Sequence, residues 1–411
     1  MTITKSCDVA IIGAGPAGAV AASLLAAKGY DTVILERQEF PRFSIGESLL
    51  PQCMEVLDEA GMLDAVVSAK FQLKNGAAFE RNGDRAVFDF SDKFSLGCST
   101  AFEVQRDRFD KILADRAAAS GAAVHYRCEI TGVDLAVDQP VLSYLNADGT
   151  PARLRTKFCL DASGFGQTLA KLQNLVRPTN WPARESIFTH VVDRVDSHKF
   201  DRGKILITIH PAHQDIWFWL IPFSDGSSSL GVVAAQGALD RFEGDEQSVL
   251  RQIISETGEL ESLLANAEYH KPCARLTGYA SEVEKIHGEN FAMLGNASGF
   301  LDPVFSSGVT IALKSSSLAA NCLDRRFRGQ KVDWEQEFTA PLNRGVETFR
   351  QFVAAWYDGR LQDIIFADSQ SPRIRQMICS ILAGYAWDDN NPYVVKPQRR
   401  LSALAAICRS N

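Results

Sequence analysis

The sequence predicts an α/β fold with a parallel nucleotide-binding sheet, an antiparallel sheet and a helical C-terminal region. The first observation is residues 7–37, where an apolar run at 9–12 leads into a glycine-rich turn, an Ala- and Leu-rich segment, a second apolar run at 32–35 and an acid. The second is that strand-then-glycine segments recur around Asp161 and Gly295. The third is the alternating pattern from Ile187 to about Ala235, which is typical of antiparallel strands.

The turn at residues 13–18 reads Gly-Ala-Gly-Pro-Ala-Gly. Gly13 permits the tight turn, Gly15 lets the backbone approach a pyrophosphate, and Gly18 lets the helix pack closely on the strand. The helix that follows offers free N–H groups and a positive dipole end to phosphates. Glu36 lies where a carboxylate accepts hydrogen bonds from ribose hydroxyls. This stretch predicts a dinucleotide site but does not separate FAD from NAD.

Composition excludes several classes of protein. The 411 residues are enough for two packed domains, and the net charge of −7 without a basic cluster argues against a nucleic-acid partner. The nine cysteines are scattered without a CxxC pair, which indicates reduced thiols in a cytoplasmic protein. No HExxH motif predicts a metal site, and no signal peptide or long apolar span is visible.

Along the chain, two prolines and a glycine predict a loop from Arg37 to Pro51. A helix is expected from Gln52 to Lys70, a strand interrupted by a turn at 71–79, a partner strand at 86–90, and a helix that opens at Glu103. Further strands are predicted at 123–126, 132–135, 141–145, 157–161, 205–210, 216–222, 229–234 and 289–294. Helical segments are expected at 244–267 and 309–323, and the remainder is largely helical, with an aromatic stripe at Phe349, Phe352, Trp356 and Tyr357 assigned to the core.

The three strand-then-glycine segments converge if the nucleotide domain is discontinuous. We therefore expect a FAD-binding domain formed by residues 1–80, 100–185 and 275–330. Residues 81–99 and 186–274 are expected to form the antiparallel-sheet substrate domain, and residues 331–411 the helical C-terminal region.

This arrangement resembles the Rossmann-like FAD-binding fold of the hydroxylase type. The resemblance implies FAD rather than NAD, and it places Arg106 near the flavin. In that family the third segment usually reads Gly-Asp, whereas this chain has Gly295-Asn296, which removes a negative charge. The cofactor-binding residues that the resemblance implies are Gly13, Gly15, Ala17, Gly18, Glu36, Arg37, Ser48, Arg106, Asp161, Asn296 and Gly308.

Three further segments narrow the resemblance. Residues 46–51 read GESLLP, 217–222 read WFWLIP, and 302–309 read DPVFSSGV. Together they look like flavin-dependent halogenases, nearest to the branch that acts on phenols or carrier-bound pyrroles rather than free tryptophan. The resemblance covers about residues 5–330.

Trp217 and Trp219 lie two apart on a predicted strand, so their side chains face the same way. With Pro303 they are expected to wall the flavin from a bulky substrate, and ordinary sheet packing is the alternative. Ser307 and Gly308 open a predicted helix, whose free N–H groups suit chloride or bromide. A plain N-cap is the alternative there.

Lys74 matches the catalytic lysine of the halogenases. The resemblance implies that hypohalous acid travels through a tunnel to this ammonium, which holds the acid by hydrogen bonding or forms a haloamine. A solvated surface lysine is the alternative, and Lys70 and Lys93 are competing candidates. The glutamate that tryptophan-specific halogenases place beside the lysine has no recognisable counterpart in the sequence.

The expected function is FAD-dependent halogenation of an aromatic substrate, with reduced flavin supplied by a separate reductase. Two alternatives stay open: an FAD-dependent aromatic monooxygenase, and a flavoprotein subunit of a biosynthetic assembly that has lost catalysis. A polyprenyl reductase of related fold fits less well, since WFWLIP has no evident use there. The sequence leaves open the substrate, whether it is tethered to a carrier, the halide and the oligomeric state.

Overall fold

The computed structural model describes residues 5–196, 198–367 and 371–410. These residues form both strands and helices along the chain. The strands are β1 (Lys5–Ile12), β2 (Thr32–Leu35), β3 (Gln72–Lys74), β4 (Gly76–Arg81), β5 (Asp84–Asp89), β6 (Ala101–Glu103), β7 (Ala123–His125), β8 (Glu129–Asp134), β9 (Val141–Leu145), β10 (Pro151–Asp161), β11 (Val176–Arg177), β12 (Arg184–Val192), β13 (Lys204–Ile209), β14 (Trp217–Pro222), β15 (Ser227–Ala235), β16 (Glu268–Tyr269), β17 (Ala274–Thr277), β18 (Ser281–Val283), β19 (Phe291–Met293) and β20 (Gly299–Phe300). The helices are α1 (Pro16–Ala26), α2 (Gln52–Glu59), α3 (Leu63–Ser68), α4 (Arg106–Ala119), α5 (Thr168–Leu172), α6 (Glu246–Ser255), α7 (Glu259–Leu263), α8 (Ser307–Phe327), α9 (Ala340–Tyr357), α10 (Arg360–Ile365), α11 (Pro372–Leu382), α12 (Pro392–Val395) and α13 (Pro397–Ser410).

The first sheet has the order β7-β2-β1-β10-β9-β8, with β19 also paired to β10. β7, β2, β1, β10 and β19 run parallel, and β9 and β8 are added antiparallel. The register pairs Ile12 with Leu35 and with Asp161, and it pairs Asp161 with Met293. The three predicted strand-then-glycine segments therefore end at one edge of one sheet, which confirms their convergence.

The second sheet has the order β16-β12-β15-β14-β13-β4-β5, with β17 also paired to β12. Its pairings are antiparallel except that β4 runs parallel to β13, so the sheet is mixed rather than purely antiparallel. β4 belongs to this sheet although the predicted boundary grouped residues up to 80 with the first one. One face carries Trp217, Trp219 and Ile221 toward the largest buried core, and the other carries Phe218 and Leu220 toward α6 and α7.

Two predicted helices differ from the structure. The helix expected over 52–70 is broken into α2 and α3 because Gly61 adopts a positive φ of 66°. The helix expected to open at Glu103 begins at Arg106, and Glu103 lies in β6, which pairs with β3. Backbone bonds hold residues 102–104 extended, since Leu49 N–H donates to Phe102 O and Val104 N–H donates to Glu47 O.

The C-terminal helices close the core beside the second sheet. Phe349, Phe352 and Trp356 on α9 are fully buried, as predicted for the aromatic stripe. A π-helical turn at Glu335–Thr339 leads into α9. Across the described ranges, no helix has the length and apolar character needed to cross a membrane.

Candidate cofactor and reaction site

A cavity of about 520 Å³, here called the first cavity, lies where the parallel strands of the first sheet end and the inward face of the second sheet begins. Parallel sheets place ligand sites at this edge. The predicted cofactor and wall residues that line it are Gly13, Gly15, Ala17, Glu36, Arg37, Ser48, Arg106, Trp217, Trp219, Asn296, Pro303 and Gly308.

The glycine turn has the shape that a pyrophosphate needs. A Cβ at Gly13 would meet Ala162 O at 2.8 Å, and one at Gly18 would collide with Gly13 O. A Cβ at Gly15 would instead meet only the Arg42 guanidinium at 3.6 Å, so Gly15 faces the cavity. The α1 N-terminus has no side-chain cap and no acidic residue in its first turn. The turn therefore leaves open space and free N–H groups beside Gly15, which a pyrophosphate would suit.

The two acids of the parallel strands have different surroundings. Glu36 lines the first cavity, and its carboxylate accepts hydrogen bonds from Ala14 N–H at 2.8 Å and Gln38 N–H at 2.9 Å. Asp161 does not line that cavity: it is fully buried and accepts from Ser163 N–H and Leu169 N–H at 2.9 and 2.8 Å. Burial raises the pKa of Asp161. Asp161 thus organises the turn after β10 and supports the site indirectly.

Two arginines converge on one buried carboxylate beside the glycine turn. Arg106 donates to both oxygens of Asp110 at 2.7 and 2.9 Å, and Arg42 forms an ion pair with the same carboxylate at 2.9 Å. Arg106 also donates to Ile45 O at 2.7 Å. Arg106 therefore positions the Gly46 loop. Arg42, which sequence analysis missed, stands as a cation next to Gly15.

Trp217 and Trp219 line the first cavity with their ring centroids 6.1 Å apart, as their spacing predicted. Gly231 lies opposite Trp219 on β15, and a Cβ there would overlap the Trp219 indole, so the glycine makes room for that ring. Trp219 Nε1 donates to Ser229 Oγ at 3.0 Å.

The indole of Trp217 is held by a buried chain of hydrogen bonds. Trp217 Nε1 donates to Tyr357 Oη at 3.1 Å, and Tyr357 donates to Asp302 Oδ2 at 2.8 Å. The Arg184 guanidinium lies 3.7 Å from the centroid of the Tyr357 ring. Burial raises the pKa of Asp302 to about 6, although the hydrogen bond from Tyr357 opposes the shift. Tyr357 is therefore part of the site, whereas the sequence placed it in the core stripe.

Lys74 is only 1% exposed and does not line the first cavity. Its Nζ donates to Ser48 Oγ at 2.6 Å, and Ser48 does line the cavity. The structure contradicts the alternative of a solvated surface lysine, while Lys70 is exposed and Lys93 donates to Gly97 O at 2.8 Å. Lys74 is the lysine that lies next to the cavity wall.

Glu103 belongs to the same buried cluster. Lys74 pairs with Ala101 and Gln72 pairs with Glu103, so Lys74 and Glu103 share one face of the β3–β6 ribbon. Ser48 forms an isolated antiparallel bridge with Glu103. Burial lowers the pKa of Lys74, and the charge of Glu103 opposes the shift; burial raises the pKa of Glu103, and Lys74 opposes it. Sequence analysis missed Glu103 because it expected a helix there.

The predicted halide residues lie between two cavities. A second cavity of about 710 Å³ shares Asn296, Phe300 and Gly308 with the first. Gly308 borders both, whereas Ser307 borders only the second. Ser306 precedes α8 with a φ of 56° and makes no side-chain cap hydrogen bond. The first-turn N–H groups of α8 therefore have no capping side chain, and a small anion would suit them.

The first cavity unites most of the predicted site residues but leaves out Gly18, Asp161, Ser307 and Lys74. Gly18 packs against Gly13 O within the glycine turn, and Asp161 accepts a hydrogen bond from Ser163 N–H after β10. Ser307 lines the second cavity, and Lys74 is hydrogen-bonded to Ser48. Within the described residues, no group of His, Cys, Asp or Glu is arranged to hold a metal ion.

Comparisons with known proteins support a FAD-binding fold for this chain. Residues 6–271 match the family model described as FAD binding domain. The chain is 26% identical over 420 residues to the 1H-pyrrole-2-carbonyl-(peptidyl-carrier protein) chlorinase of Pseudomonas fluorescens, covering 96% of this chain and 93% of that protein. It is 28% identical over 343 residues to the tryptophan 2-halogenase of Chondromyces crocatus, covering 80% and 63%. A solved structure named flavoprotein/dehydrogenase, from Cytophaga hutchinsonii, has 40% identity and a TM-score of 0.95, covering 98% of this chain and 99% of that one.

Proposed function

We propose that this chain, which belongs to the FAD binding domain family and within it to the flavin-dependent halogenases, halogenates a small electron-rich aromatic substrate at Lys74. The observation that carries the assignment of Lys74 is its hydrogen bond to a residue of the cofactor cavity. Its ammonium is fully buried yet donates to Ser48, a residue that lines the cavity.

The glycine turn would hold FAD by its pyrophosphate, with Arg42 as the nearest cation and Glu36 at the ribose. Asn296, Gly308 and Pro303 would border its ring end. Bound reduced FAD would supply two electrons there, so that dioxygen, a halide ion and a proton would give hypohalous acid, water and oxidised flavin. The remaining steps belong to the side chains of this chain.

Ser307 and Gly308 would hold the halide at the N-terminus of α8. Gly308 borders the first cavity, so an ion there is next to bound cofactor without lying in the cofactor's own space. Trp217 and Trp219 would form a wall that keeps a bulky aromatic substrate from the reacting end of the flavin. The substrate would therefore be halogenated by an oxidant that moves past Ser48 to Lys74.

The substrate class rests on the relatives. The Pseudomonas chlorinase acts, by its name, on a pyrrole carried by a peptidyl carrier protein, and the Chondromyces enzyme on tryptophan. We propose a phenol or pyrrole, free or carrier-bound, with reduced FAD supplied by a separate flavin reductase. The predicted cytoplasmic location stays a prediction, which the nine free cysteines support.

The test supplies the purified chain with FAD, a separate flavin reductase, NADH, oxygen and either chloride or bromide. Phenols and carrier-bound pyrroles are the substrates, and mass spectrometry identifies the products. Halogenated product that requires halide, reductase and FAD supports the proposal. Hydroxylated product without halogenated product would assign a monooxygenase instead. Rapid bleaching of bound FAD by NADH or NADPH alone would contradict the need for a reductase.

A further inference from the structure

Glu103 is a buried acid that the proposed halogenation does not yet use. It is fully buried, and Lys74 makes no hydrogen bond to either of its carboxylate oxygens, although the Ser48 hydroxyl is close enough to lower its pKa by hydrogen bonding. A buried carboxylate with so little hydrogen bonding is costly to keep ionised, so such a group is retained with a proton or for a ligand. Its position therefore requires an explanation.

The groups around Glu103 define a closed polar site. Lys74 lies diagonally across the β3–β6 ribbon, and Ser48 lies opposite on the other side. Ser48 Oγ accepts from Lys74, which leaves its own O–H free to donate. Phe90 covers the lysine, with its ring centroid 5.6 Å from Nζ. Lys74 and the Ser48 hydroxyl therefore both lie beside the Glu103 carboxylate.

We propose that Glu103 is the proton acceptor for Lys74, so that Lys74 acts as a neutral amine and carries the halogen covalently. This inference rests on the proposed function, because it assumes that hypohalous acid reaches Lys74. It decides between the two uses of the lysine that the sequence left open, hydrogen bonding and haloamine formation.

The steps balance as follows. Glu103 takes a proton from the Lys74 ammonium and leaves an amine with a lone pair. The amine attacks the halogen of hypohalous acid: an N–X bond forms, the O–X bond breaks, and the departing hydroxide takes an amine proton to become water. The substrate ring then attacks X: a C–X bond forms, the N–X pair returns to nitrogen, and nitrogen takes the proton of Glu103. The resulting carboxylate finally accepts the ring proton.

The electrostatic surroundings favour this exchange. Burial disfavours the charged forms of both groups, which lowers the pKa of Lys74 and raises that of Glu103. The other titratable groups that face the pair are Glu47, whose charge raises the pKa of Glu103 further, and Cys53, whose thiol pKa is raised by burial. Glu47 is itself bound to His190 at 2.8 Å. The pair therefore shares one proton as a unit.

The test combines Glu103→Gln with the matched control Glu80→Gln, which alters a half-buried carboxylate on β4 whose pKa is also raised by burial. Infrared spectra of the FAD-loaded proteins with labelled glutamate should show a protonated carboxyl band at neutral pH in wild type. The band should be missing in Glu103→Gln and retained in Glu80→Gln. This reading needs no turnover, so it judges Glu103 even if the proposed function fails.

Turnover supplies the second reading. Wild type and Glu80→Gln should show a bell-shaped pH profile of halogenation. The rate should fall at low pH, where both Lys74 and Glu103 are protonated, and at high pH, where neither is. Glu103→Gln should lose about 100-fold or more in rate. In this variant the halogenation rate should no longer fall at high pH. Hypohalous acid, trapped by a diffusible amine such as taurine, should still form at the wild-type rate.

The inference would be overturned if the wild-type protein lacked the carboxyl band. It would also be overturned if Glu103→Gln kept the wild-type rate and the bell-shaped pH profile. Glu103→Asp covers the case in which Gln disturbs folding, since it keeps an acid and should keep the alkaline limb at a reduced rate. Absence of hypohalous acid from wild type would instead refute the proposed function.

Discussion

The first cavity and the cluster of Lys74, Ser48 and Glu103 meet at Ser48, yet they are built in opposite ways. The cavity is open and is shaped largely by backbone. Gly13 and Gly18 have no room for a Cβ, and at Gly15 the lack of a side chain leaves space for a ligand. The cluster is buried and consists of two ionisable side chains, from β3 and β6, and a serine hydroxyl from the loop before α2. The difference supports the division of roles that we propose: the backbone of the glycine turn holds the cofactor, and the buried Lys74 and Glu103 side chains handle the oxidant.

The largest effect is expected when the Lys74 amine is removed from the cluster. Lys74→Ala should lower halogenated product by about three orders of magnitude or more, because an essential nucleophile is lost. Reoxidation of reduced FAD, followed by absorbance, should keep its wild-type rate, because the cavity lining is intact. Lys74→Met, which fills the space without a charge, should behave alike.

The control for Lys74 is Lys70→Ala, because Lys70 is an exposed lysine near the same strand. It should keep both product formation and flavin reoxidation. Near-wild-type product from Lys74→Ala would remove Lys74 from the reaction and return the site to the cavity alone.

The reciprocal change targets the cavity. Gly15→Val should lower FAD affinity by about 100-fold or more, because the new side chain enters the space of the pyrophosphate. The fold should persist: a Cβ at this position would meet only Arg42, and Gly15 has an ordinary φ of −64°. Fluorescence titration with FAD measures the loss, and Gly132→Val on β8, outside the cavity, is the control. Unchanged affinity in Gly15→Val would refute the phosphate-turn assignment.

The same contrast explains how far the sequence could predict the molecule. The glycine turn, Glu36 and the paired tryptophans follow from local rules of spacing, and the structure places them at the cavity as expected. Glu103 and Tyr357 do not, because their roles depend on strand pairing and on packing between segments far apart in the chain. The extended backbone at 101–105 arises from bonds to residues 47 and 49, which no local pattern near Glu103 reveals.

Asp302, which lines the second cavity and accepts a hydrogen bond from Tyr357, offers a test outside the cluster. Its pKa is raised from 3.8 to about 6 by burial, so the folded state binds more protons than the unfolded state between these values. Stability therefore falls as pH rises through this window, by about 3 kcal/mol at 1.36 kcal/mol per pKa unit. Asp302→Asn should remove this contribution, measured by urea unfolding of the FAD-saturated protein across that window. Equal slopes for the variant and wild type would show that Asp302 is ionised throughout.

The smallest expected effect concerns the link between the C-terminal helices and the cavity wall. Tyr357→Phe removes the hydroxyl that donates to Asp302 and accepts from Trp217. Two buried polar groups lose a partner, so unfolding free energy should fall by about 1–3 kcal/mol. Tyr385→Phe is the matched control, because the Tyr385 hydroxyl donates to Glu55 at 2.6 Å and also lies 3.0 Å from Cys98 O, away from the cavity. Both variants should lose similar stability in urea unfolding.

Only Tyr357→Phe should also alter the fluorescence of bound FAD, because Trp217 lines the cavity and Tyr385 does not. If both variants leave that fluorescence unchanged, the hydrogen-bonded chain stabilises the fold without orienting the wall, and the link between the C-terminal helices and the cofactor cavity is structural alone.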